Sequence, residues 1–503
     1  MRDSSTAESH LTCPFWTFEQ NPDSMHLSSF RILPVLCLCL GLTTAVAAAA
    51  EGLDEPRPLF VEGYAGRVSY APGDELTLHV STSAANFSVE IARIGAKREP
   101  ISSLASVVGR EQPVPPNASS HGCHWPATVT LKIPADWRSG YYHVTLRARD
   151  GGGTFVQRNA RTAEGSCYFI LRSAEPGKSS KTLLQLSTHT YNAYNNWGGF
   201  SLYAYNGRAG NQGHRVSEQR PPLSQFSNWE QPFVEWAEGN GFVLEYATSG
   251  DLESRPELLK AYRLVLSVGH DEYWSAPMRD HLEQFIIAGG NVAFFSGNTC
   301  CWQVRAEDGG QALTCWKQNF QSDPVYAARQ GYATLSSLWS HHLVKRPENQ
   351  LTGVGFLWGG YHKSHGQLMD GSGAFTVHRP EHWLFEGTGL KRDETFGGKD
   401  TIVGYECDGC ELEWKGGLPT PTHRDGTPDT FTVLGTAPAR WHPDDCQWYE
   451  QWENGRKGQA VLGVYTRGGT VVTCGSTDWA HGLRGGDAVV DRITRNVLRT
   501  LSR

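Results

Sequence analysis

Hydrophobic and polar residues alternate in short runs between about residue 59 and residue 173. Five runs have the pattern that is typical of half-buried strands, and Gly, Pro, Asn or Asp bounds them: FVEGYAGRVSYAPGDELTLHVST, NFSVEIARIG, ATVTLKIP, GYYHVTLRARD and SCYFILRS. Five or more such strands without a helix between them predict an immunoglobulin-like β-sandwich, which we assign to residues 55–175. The small, polar residues of AEPGKSSK (174–181) predict a linker after this domain.

The pattern changes after residue 180, where apolar strands alternate with amphipathic helices. KTLLQLST, FVLEYATS, RLVLSVG and NVAFFSG are typical of buried strands, and EQPFVEWAEGNG and APMRDHLEQFIIAGG have helical periodicity closed by glycine. This alternation predicts a parallel, doubly wound sheet in an α/β domain over residues 180–503. Further strands are predicted at KDTIVGYEC, FTVLGTA, AVLGVYTR and GTVVTCGS, and DAVVDRITRNVLRTLS predicts a closing helix.

A leader is predicted at the start of the chain. Arg31 precedes an apolar run that ends in three alanines at 48–50, a pattern typical of an export signal and short for a membrane span. We expect residues 1–50 to be this leader, with Met25 as the true start. The mature protein is then exported to the periplasm or the extracellular space and keeps no stable membrane span. In an oxidising compartment disulfides are favoured, and Cys123 and Cys167 could bridge the sandwich.

Composition narrows the class of protein. The 503-residue chain carries 45 basic and 52 acidic side chains, a formal net charge of -7, and no basic block, so no nucleic-acid partner is expected. The 17 Trp, 18 Tyr and 20 Phe exclude a disordered chain. The 55 Gly and 26 Pro favour a body rich in loops, where binding sites are commonly built.

Polar side chains follow several predicted strands, and parallel sheets bind ligands beyond the carboxyl ends of their strands. HDEYW follows RLVLSVG, TYNAYNNWGG follows the first strand, and Glu406 follows KDTIVGY. A nucleophile elbow needs Ser or Cys in the HDEYW turn, and neither occurs there, so serine or cysteine acyl chemistry is disfavoured. The structural alternative is that His270 and Glu272 cap the next helix while Tyr273 packs.

Five motifs occur in order along roughly residues 180–503: TYNAYNNWGG, SVGHDEYW, AGGNVAFFSGN, HRPEHWLFEGTGL and IVGYECDG. Together they resemble the large subunit of N,N-dimethylformamidase and its relatives. The resemblance implies a glutamine-amidotransferase-like (flavodoxin-like) α/β fold, with a sandwich module before it. Asp271 stands where the HPEYW pattern of the family has proline, and Gly404 stands two residues before Glu406, where the family has histidine.

The resemblance also implies a mononuclear iron, Fe(III), held by two tyrosines and one glutamate. Carried over by motif, Tyr273 and Glu406 are two of the ligands, and Tyr194 is the expected second tyrosine, with Tyr191 and Tyr203 in reserve. Phenolate and carboxylate oxygens are hard ligands that suit Fe(III). A base beside the metal would activate water, and the expected candidates are His270, then Asp271 or Glu272.

Two functions are compatible with these residues. The first is an exported iron-dependent hydrolase that acts on the C–N bond of a small amide. The alternative is a non-catalytic exported binding protein that uses the sandwich and an aromatic cleft. The expected partner is a small amide, and the chain could form a homo-oligomer.

Overall fold

The computed structural model describes residues 58–150, 161–364, 367–368, 372–441 and 457–503. The expected leader (1–50), including its start at Met25, lies outside the described residues. From Leu59 onward the chain forms one compact unit. None of the described helices is long and apolar enough to cross a bilayer.

The strands and helices have the following bounds. The strands are β1 (Val61–Ala65), β2 (Ser69–Tyr70), β3 (Glu75–Thr82), β4 (Asn86–Ile94), β5 (Arg98–Val108), β6 (Val129–Lys132), β7 (Gly140–Asp150), β8 (Arg161–Leu171), β9 (Thr182–Leu186), β10 (Arg215–Ser217), β11 (Glu245–Thr248), β12 (Leu264–His270), β13 (Tyr273–Ser275), β14 (Asn291–Gly297), β15 (Trp302–Glu307), β16 (Ala312–Thr314), β17 (Gly355–Gly360), β18 (Lys363–Ser364), β19 (Gln367–Leu368), β20 (Phe375–Val377), β21 (Thr395–Phe396), β22 (Cys407–Gly409), β23 (Leu412–Lys415), β24 (Leu418–Pro421), β25 (Thr432–Arg440), β26 (Lys457–Arg467) and β27 (Gly469–Thr473). The α-helices are α1 (Ala118–His121), α2 (Thr188–Tyr194), α3 (Glu230–Gly239), α4 (Ser249–Ser254), α5 (Pro256–Leu259), α6 (Ala276–Ile287), α7 (Pro324–Ala327), α8 (Asn349–Thr352), α9 (Trp479–Arg484) and α10 (Ala488–Leu501).

Two sheets pack over one core in the amino-terminal part of the described chain. One sheet has the order β1-β3-β6, and the other has the order β2-β8-β7-β4-β5. Alternate residues of each sheet point inward, so Leu78 and Val80 of β3 join Ile91 of β4 and Val144 of β7 in a shared hydrophobic core. A two-layer sandwich is therefore present, and its immunoglobulin-like topology stays a prediction.

The main sheet is mixed rather than wholly parallel. Its order is β11-β9-β12-β14-β27-β26-β25-β20-β21. The neighbours from β11 to β27 pair in parallel, and those from β27 to β21 pair antiparallel. The expected parallel sheet thus accounts for half of this sheet. The other half is antiparallel because short connections, such as the one residue Gly468 between β26 and β27, cannot make a parallel crossover. The flavodoxin-like topology stays a prediction.

Helices cover both faces of the parallel half. Because neighbouring residues of a strand point to opposite faces, Val265 joins one core with α4 and α6, and Leu266 joins the other with α3 and α10. Asp487 caps α10 by accepting bonds from the amides of Val489 (2.8 Å) and Val490 (3.0 Å). The two layers hold the carboxyl ends of the parallel strands at one edge.

The strand predicted at KDTIVGYEC is wrong for most of its length. A strand is found only at Cys407–Gly409 (β22). The preceding amides bond to side chains instead of to a neighbouring strand: that of Gly404 to Ser476, that of Tyr405 to Asp478 and that of Glu406 to Thr477. The backbone is therefore satisfied without a ladder.

The described cysteines are all buried thiols, and the expected bridge between Cys123 and Cys167 is wrong. Cys167 lies in the core between the two sheets of the sandwich, and Cys123 lies in a separate cluster with Tyr64 and Trp125. The two side chains therefore pack in different places.

Candidate active site

The HDEYW segment turns sharply at the carboxyl end of β12. Gly269 has a φ of +81°, and a Cβ added there would lie 2.2 Å from the Cβ of Trp229. Only glycine allows this conformation and this close approach. The turn brings His270 and Glu272 to the edge of the sheet, and β13 begins directly afterwards at Tyr273.

Two phenols converge on the carboxylate of Glu272. Tyr194, at the end of α2, donates to Glu272 Oε2 at 2.9 Å, and the Tyr203 hydroxyl lies 2.8 Å from Oε2 and 2.9 Å from Oε1. Trp302, the first residue of β15, donates its indole N–H to Oε1 at 2.8 Å. Glu272 is only 2% exposed. We call Glu272, Tyr194 and Tyr203 the phenol–carboxylate cluster.

Tyr273 and Lys317 extend this cluster on one side. The Tyr273 hydroxyl donates to that of Tyr203 at 2.8 Å, and Lys317 Nζ donates to Tyr273 Oη at 3.0 Å. The ammonium also lies 3.5 Å from the centroid of the Tyr203 ring, where it makes a cation–π contact. Lys317 is buried, so its charge acts on the phenols with little screening.

His270 and Glu406 lie on the other side of the cluster. His270 Nε2 is 2.8 Å from Glu406 Oε2 and 3.2 Å from Glu272 Oε2, so the imidazole sits between two carboxylates. These contacts have the distances of ion pairs but not the angles of hydrogen bonds, and Nε2 and Glu406 Oε2 are buried atoms without a hydrogen-bond partner among the described residues. The site thus contains a ring nitrogen and a carboxylate oxygen that make no hydrogen bond to the described residues.

Glycine also places Glu406. A Cβ on Gly297, at the end of β14, would lie 2.6 Å from the carbonyl oxygen of Glu406 and 2.5 Å from the amide of Thr477. Without that side chain, the segment before β22 crosses directly over the strand end, and the Thr477 amide donates to Glu406 O at 3.1 Å. This crossing carries Glu406 to His270.

In the protein without a bound cation, burial keeps the phenols of Tyr194, Tyr203 and Tyr273 protonated. It raises the pKa values of Tyr194, Tyr203 and Tyr273 far above their ordinary value, and the charge of Glu272 adds to the effect. Burial also lowers the pKa of Lys317, against the opposing charge of Glu272. A bound cation would reverse the effect on the phenols, because a nearby positive charge favours the phenolate.

The carboxylates and His270 influence one another. Burial opposes a charged His270, yet the neighbouring Glu406 and Glu272 raise its pKa to about 10. Burial would also raise the pKa of Glu272, but the contact with His270 and the charge of Lys317 outweigh it and hold that pKa below its ordinary value. Burial raises the pKa of Glu406, and His270 opposes this rise. The geometry thus favours an ionised Glu272 beside a proton-exchanging pair, His270 and Glu406.

Asp271 lies apart from this cluster. Its Oδ2 accepts from the Ser267 hydroxyl at 2.7 Å within the end of the sheet, and burial raises its pKa to about 6. Of the three predicted catalytic residues, the structure therefore brings His270 and Glu272 together with the tyrosines.

The predicted metal ligands have different positions. Tyr194 contacts Glu272 directly, whereas the described contacts link Tyr273 to Glu406 through Tyr203, Glu272 and His270. Of the two reserve tyrosines, Tyr203 is in the cluster, and Tyr191 donates to Glu230 elsewhere. Sequence reasoning missed Lys317 as a site residue, and it did not single out Trp302 within the loop GNTCCW after β14. The β13–β15 pairing of Tyr273 with Trp302 positions the indole, but nothing in the local pattern around Lys317 indicates its role.

The donor set fits a hard cation. Phenol and carboxylate oxygens converge within hydrogen-bond distance, and buried polar atoms of His270 and Glu406 beside them have spare bonding capacity. Among the residues that the structure describes, no group of three or more His, Cys, Asp and Glu side chains is arranged to hold a metal ion. Tyrosine oxygens would therefore have to supply part of any coordination sphere here.

Comparison with known proteins assigns the family. The family described as N,N-dimethylformamidase beta subunit-like, C-terminal, matches residues 88–492, and the chain belongs to this family. The match starts within β4, so it includes much of the sandwich as well as the α/β domain.

Two relatives have the same name. The N,N-dimethylformamidase beta subunit of Paracoccus aminophilus is 23% identical over 449 residues, which cover 75% of this chain and 54% of that relative. The N,N-dimethylformamidase beta subunit of an Alcaligenes species is 24% identical over 214 residues, 36% of this chain and 28% of that relative. This chain thus spans about half or less of these relatives. A solved sialyltransferase from Photobacterium damsela aligns with a TM-score of 0.11 and 7% identity over 46% of this chain and 35% of that one, which is too low to indicate a shared fold.

Proposed function

We propose that this protein is an iron-dependent hydrolase that cleaves the C–N bond of a small amide. The observation that carries the proposal is the convergence of the Tyr194 and Tyr203 hydroxyls on Glu272, beside the His270–Glu406 pair. Membership of a family whose relatives are named N,N-dimethylformamidase subunits supports the reaction class.

Tyr194, Tyr203 and Glu272 are the residues that would hold the iron. Their oxygens already meet within 2.8–2.9 Å, and they make up the two tyrosines and one glutamate that the resemblance implies. This assignment replaces Tyr273 and Glu406 of the motif-based set with their neighbours in the cluster. When bound, the ferric ion would supply Lewis acidity that polarises an amide carbonyl and lowers the pKa of water.

His270 and Glu406 would move protons in the reaction. Glu406 Oε2 and His270 Nε2 are 2.8 Å apart, and a small rotation of either group would align them for proton exchange. In hydrolysis the pair accepts a proton as the water oxygen bonds to the carbonyl carbon. It returns the proton to the leaving nitrogen as the C–N bond breaks, and the products are a carboxylic acid and an amine.

Aromatic rings around His270 would exclude bulk water from the reaction. Ring centroids of Trp229, Tyr194 and Tyr405 lie 5.3, 5.4 and 6.0 Å from that of His270. Apolar walls with few polar groups suit a small, uncharged amide. Lys317 holds Tyr273 and, through it, orients the hydroxyl of Tyr203.

The leader pattern supports export as part of this proposal. Arg31 and the apolar run that ends in the alanines at 48–50 carry this part of the proposal.

Iron content and colour of the purified full chain test the metal site. We expect about one iron per chain and a visible phenolate-to-iron band, both lost in Tyr203→Phe and Glu272→Gln and both retained in Tyr273→Phe, the matched control. Glu406→Gln should keep the iron and the band and lose turnover of N,N-dimethylformamide.

Two results would count against these assignments. Loss of iron in Tyr273→Phe with retention in Tyr203→Phe would favour the motif-based set of Tyr194, Tyr273 and Glu406. A wild-type chain without iron and without amide turnover would overturn the hydrolase and favour the non-catalytic binding protein.

A further inference from the structure

A buried arginine lies beside the loop that joins the two tyrosines of the phenol–carboxylate cluster. Arg220 is 0% exposed and follows shortly after β10. Tyr194 and Tyr203 lie at the two ends of the loop, and their ring centroids are 4.3 Å apart. The amide of Leu202 donates to the carbonyl of Ala193 at 2.9 Å, which closes the loop next to the two rings. The spacing of the two phenols therefore depends on how this loop turns.

The loop wraps around the guanidinium of Arg220. A guanidinium has five N–H groups in one plane, and this fixed fork suits several acceptors at once. Here each of the five N–H groups donates to an oxygen: Nη1 to the carbonyls of Trp197 (2.6 Å) and Phe200 (3.1 Å), Nη2 to the carbonyl of Asn195 (2.8 Å) and the side-chain oxygen of Asn192 (3.4 Å), and Nε to the carbonyl of Ser217 (2.9 Å).

Two asparagines of the loop hold the segment around Arg220 in return. Asn195 donates its side-chain N–H to the carbonyl of Pro221 at 3.0 Å, and Asn192 donates to the carbonyl of Val216 at 3.5 Å. The loop and this segment are thus bonded in both directions, through side chains of each.

The position of Arg220 is costly for a cation. Burial lowers the pKa of Arg220 to about 9, so the guanidinium is still charged at pH 7. All five of its acceptors are carbonyl or amide oxygens, which carry no charge of their own. Because a buried charge is strongly destabilising unless its hydrogen bonds are made, the folded loop has to keep these oxygens directed at the guanidinium.

We propose that Arg220 is a positioning residue of the iron site, and that its guanidinium shapes the loop so that the hydroxyls of Tyr194 and Tyr203 meet at Glu272. This role rests on the proposed function, and Arg220 acts on the metal only through the two tyrosines. Its bonds fix the loop backbone at three points, and the bond between Ala193 and Leu202 ties that shape to the phenols. Residues that orient metal ligands in this way commonly change metal affinity by about 10- to 100-fold when they are replaced.

Arg220→Lys tests this role in the full chain. Lysine keeps the positive charge but has three N–H donors for five oxygens, so the loop should lose its shape. Competition of the iron-loaded protein with nitrilotriacetate should show iron binding that is about 10- to 100-fold weaker than in the wild type. The phenolate-to-iron band should also shift or weaken, because at least one phenol moves.

Arg279→Lys is the matched control. Arg279 of α6 is also 0% exposed and donates to the carbonyls of Arg346 (2.7 Å) and Pro347 (2.9 Å) and to Glu283 (2.8 Å), so its partners lie outside the tyrosine loop. We expect this variant to lose stability in urea unfolding, as Arg220→Lys does, and to keep the iron affinity and the band of the wild type. Wild-type iron affinity and an unchanged band in Arg220→Lys would show a purely structural role and overturn the proposal.

Hydrogen exchange of the iron-free protein provides a readout that needs no metal. In Arg220→Lys the amides of residues 192–203 should exchange faster than in the wild type, and in Arg279→Lys they should not. Asn195→Ala is a milder second variant, since it removes the bond to Pro221 and leaves Arg220 in place, and it should change the exchange in the same direction. Unchanged exchange in both loop variants would overturn the role of Arg220, whereas a wild-type chain that binds no iron would overturn the proposed function.

Discussion

The contribution of the contact between the sandwich and the α/β domain to the free energy of unfolding can be measured by removing the Arg93 guanidinium. Arg93 of β4 donates to Glu238 of α3 through two bonds, of 2.6 and 3.0 Å, and the side chains are 4% and 14% exposed. Breaking a buried pair from one side costs about 3–5 kcal/mol. In Arg93→Met, Glu238 keeps the Tyr246 hydroxyl (2.8 Å) and the Ala96 amide (3.2 Å). We therefore expect the lower end of that range, a loss of about 3 kcal/mol in the free energy of unfolding.

Urea unfolding of Arg93→Met, Glu238→Gln and the double variant gives this value and the coupling between the two residues. Burial alone would raise the pKa of Glu238, but Arg93 and its other partners hold it below its ordinary value. The pair therefore stabilises the fold above the unfolded pKa of about 4, and this contribution is lost as the pH falls through the folded pKa. The difference between wild type and Arg93→Met should shrink over that interval. A loss under about 1 kcal/mol, or one that is independent of pH, would refute the reasoning.

Three further outcomes are expected. Gly269→Ala should lower the free energy of unfolding and displace Trp229, because the new Cβ would lie 2.2 Å from the Cβ of Trp229; urea unfolding and tryptophan fluorescence measure the two effects. Gly289→Ala is the matched control, since Gly289 has a φ of +97° and no atom within 4 Å of the added Cβ, and equal effects of the two changes would contradict the steric argument. Sequencing of the amino terminus of the secreted protein should find a start near residue 51, and the net charge should be -5 because the leader removes two basic and four acidic residues. An amino terminus upstream of Met25 would contradict the leader assignment. Mild proteolysis should cut the chain within residues 174–181. Glu245→Gln should speed this cut, because Glu245 accepts hydrogen bonds from the amides of Gly177 (2.9 Å) and Ser179 (3.1 Å) in that segment. First cleavage inside β7 or β8 would show that the two modules are not separable at the linker.

The parts of the fold that the sequence predicted are those with a strong local period. The strands β9, β11, β12 and β14 and the helices α3, α6 and α10 fall where the pattern placed them. The pattern missed β5 because most of its residues are exposed, so no alternation of apolar and polar residues marks it. It misjudged KDTIVGYEC because an apolar run reports burial and not where the backbone amides bond.

Apart from the residues carried over by family motif, the candidate site was predictable where strand ends determine position. His270 and Glu272 follow a buried strand, so the topology of a parallel sheet places them at its edge. Tyr203, Trp302 and Lys317 reach the same point from loops and from a separate small sheet, which no local period specifies. Asp271 shows that adjacency in sequence is not enough: it lies between the site residues His270 and Glu272 in the sequence, yet its side chain bonds to Ser267.

The pairing of β14 with β27 has a consequence for how the chain is made. Val292 of β14 pairs with Val471 of β27, so roughly 180 residues must be synthesised between the two strands, which takes roughly 10–35 s at ordinary rates of translation. Strands β9, β11, β12 and β14 can pair with one another as they emerge, but the free side of β14, with Val292, Ala293 and Phe294, waits without a partner. During that interval the nascent chain presents a hydrophobic strand edge, the kind of surface that chaperones bind and that drives aggregation. A ribosome stalled before β27 would leave this edge permanently open.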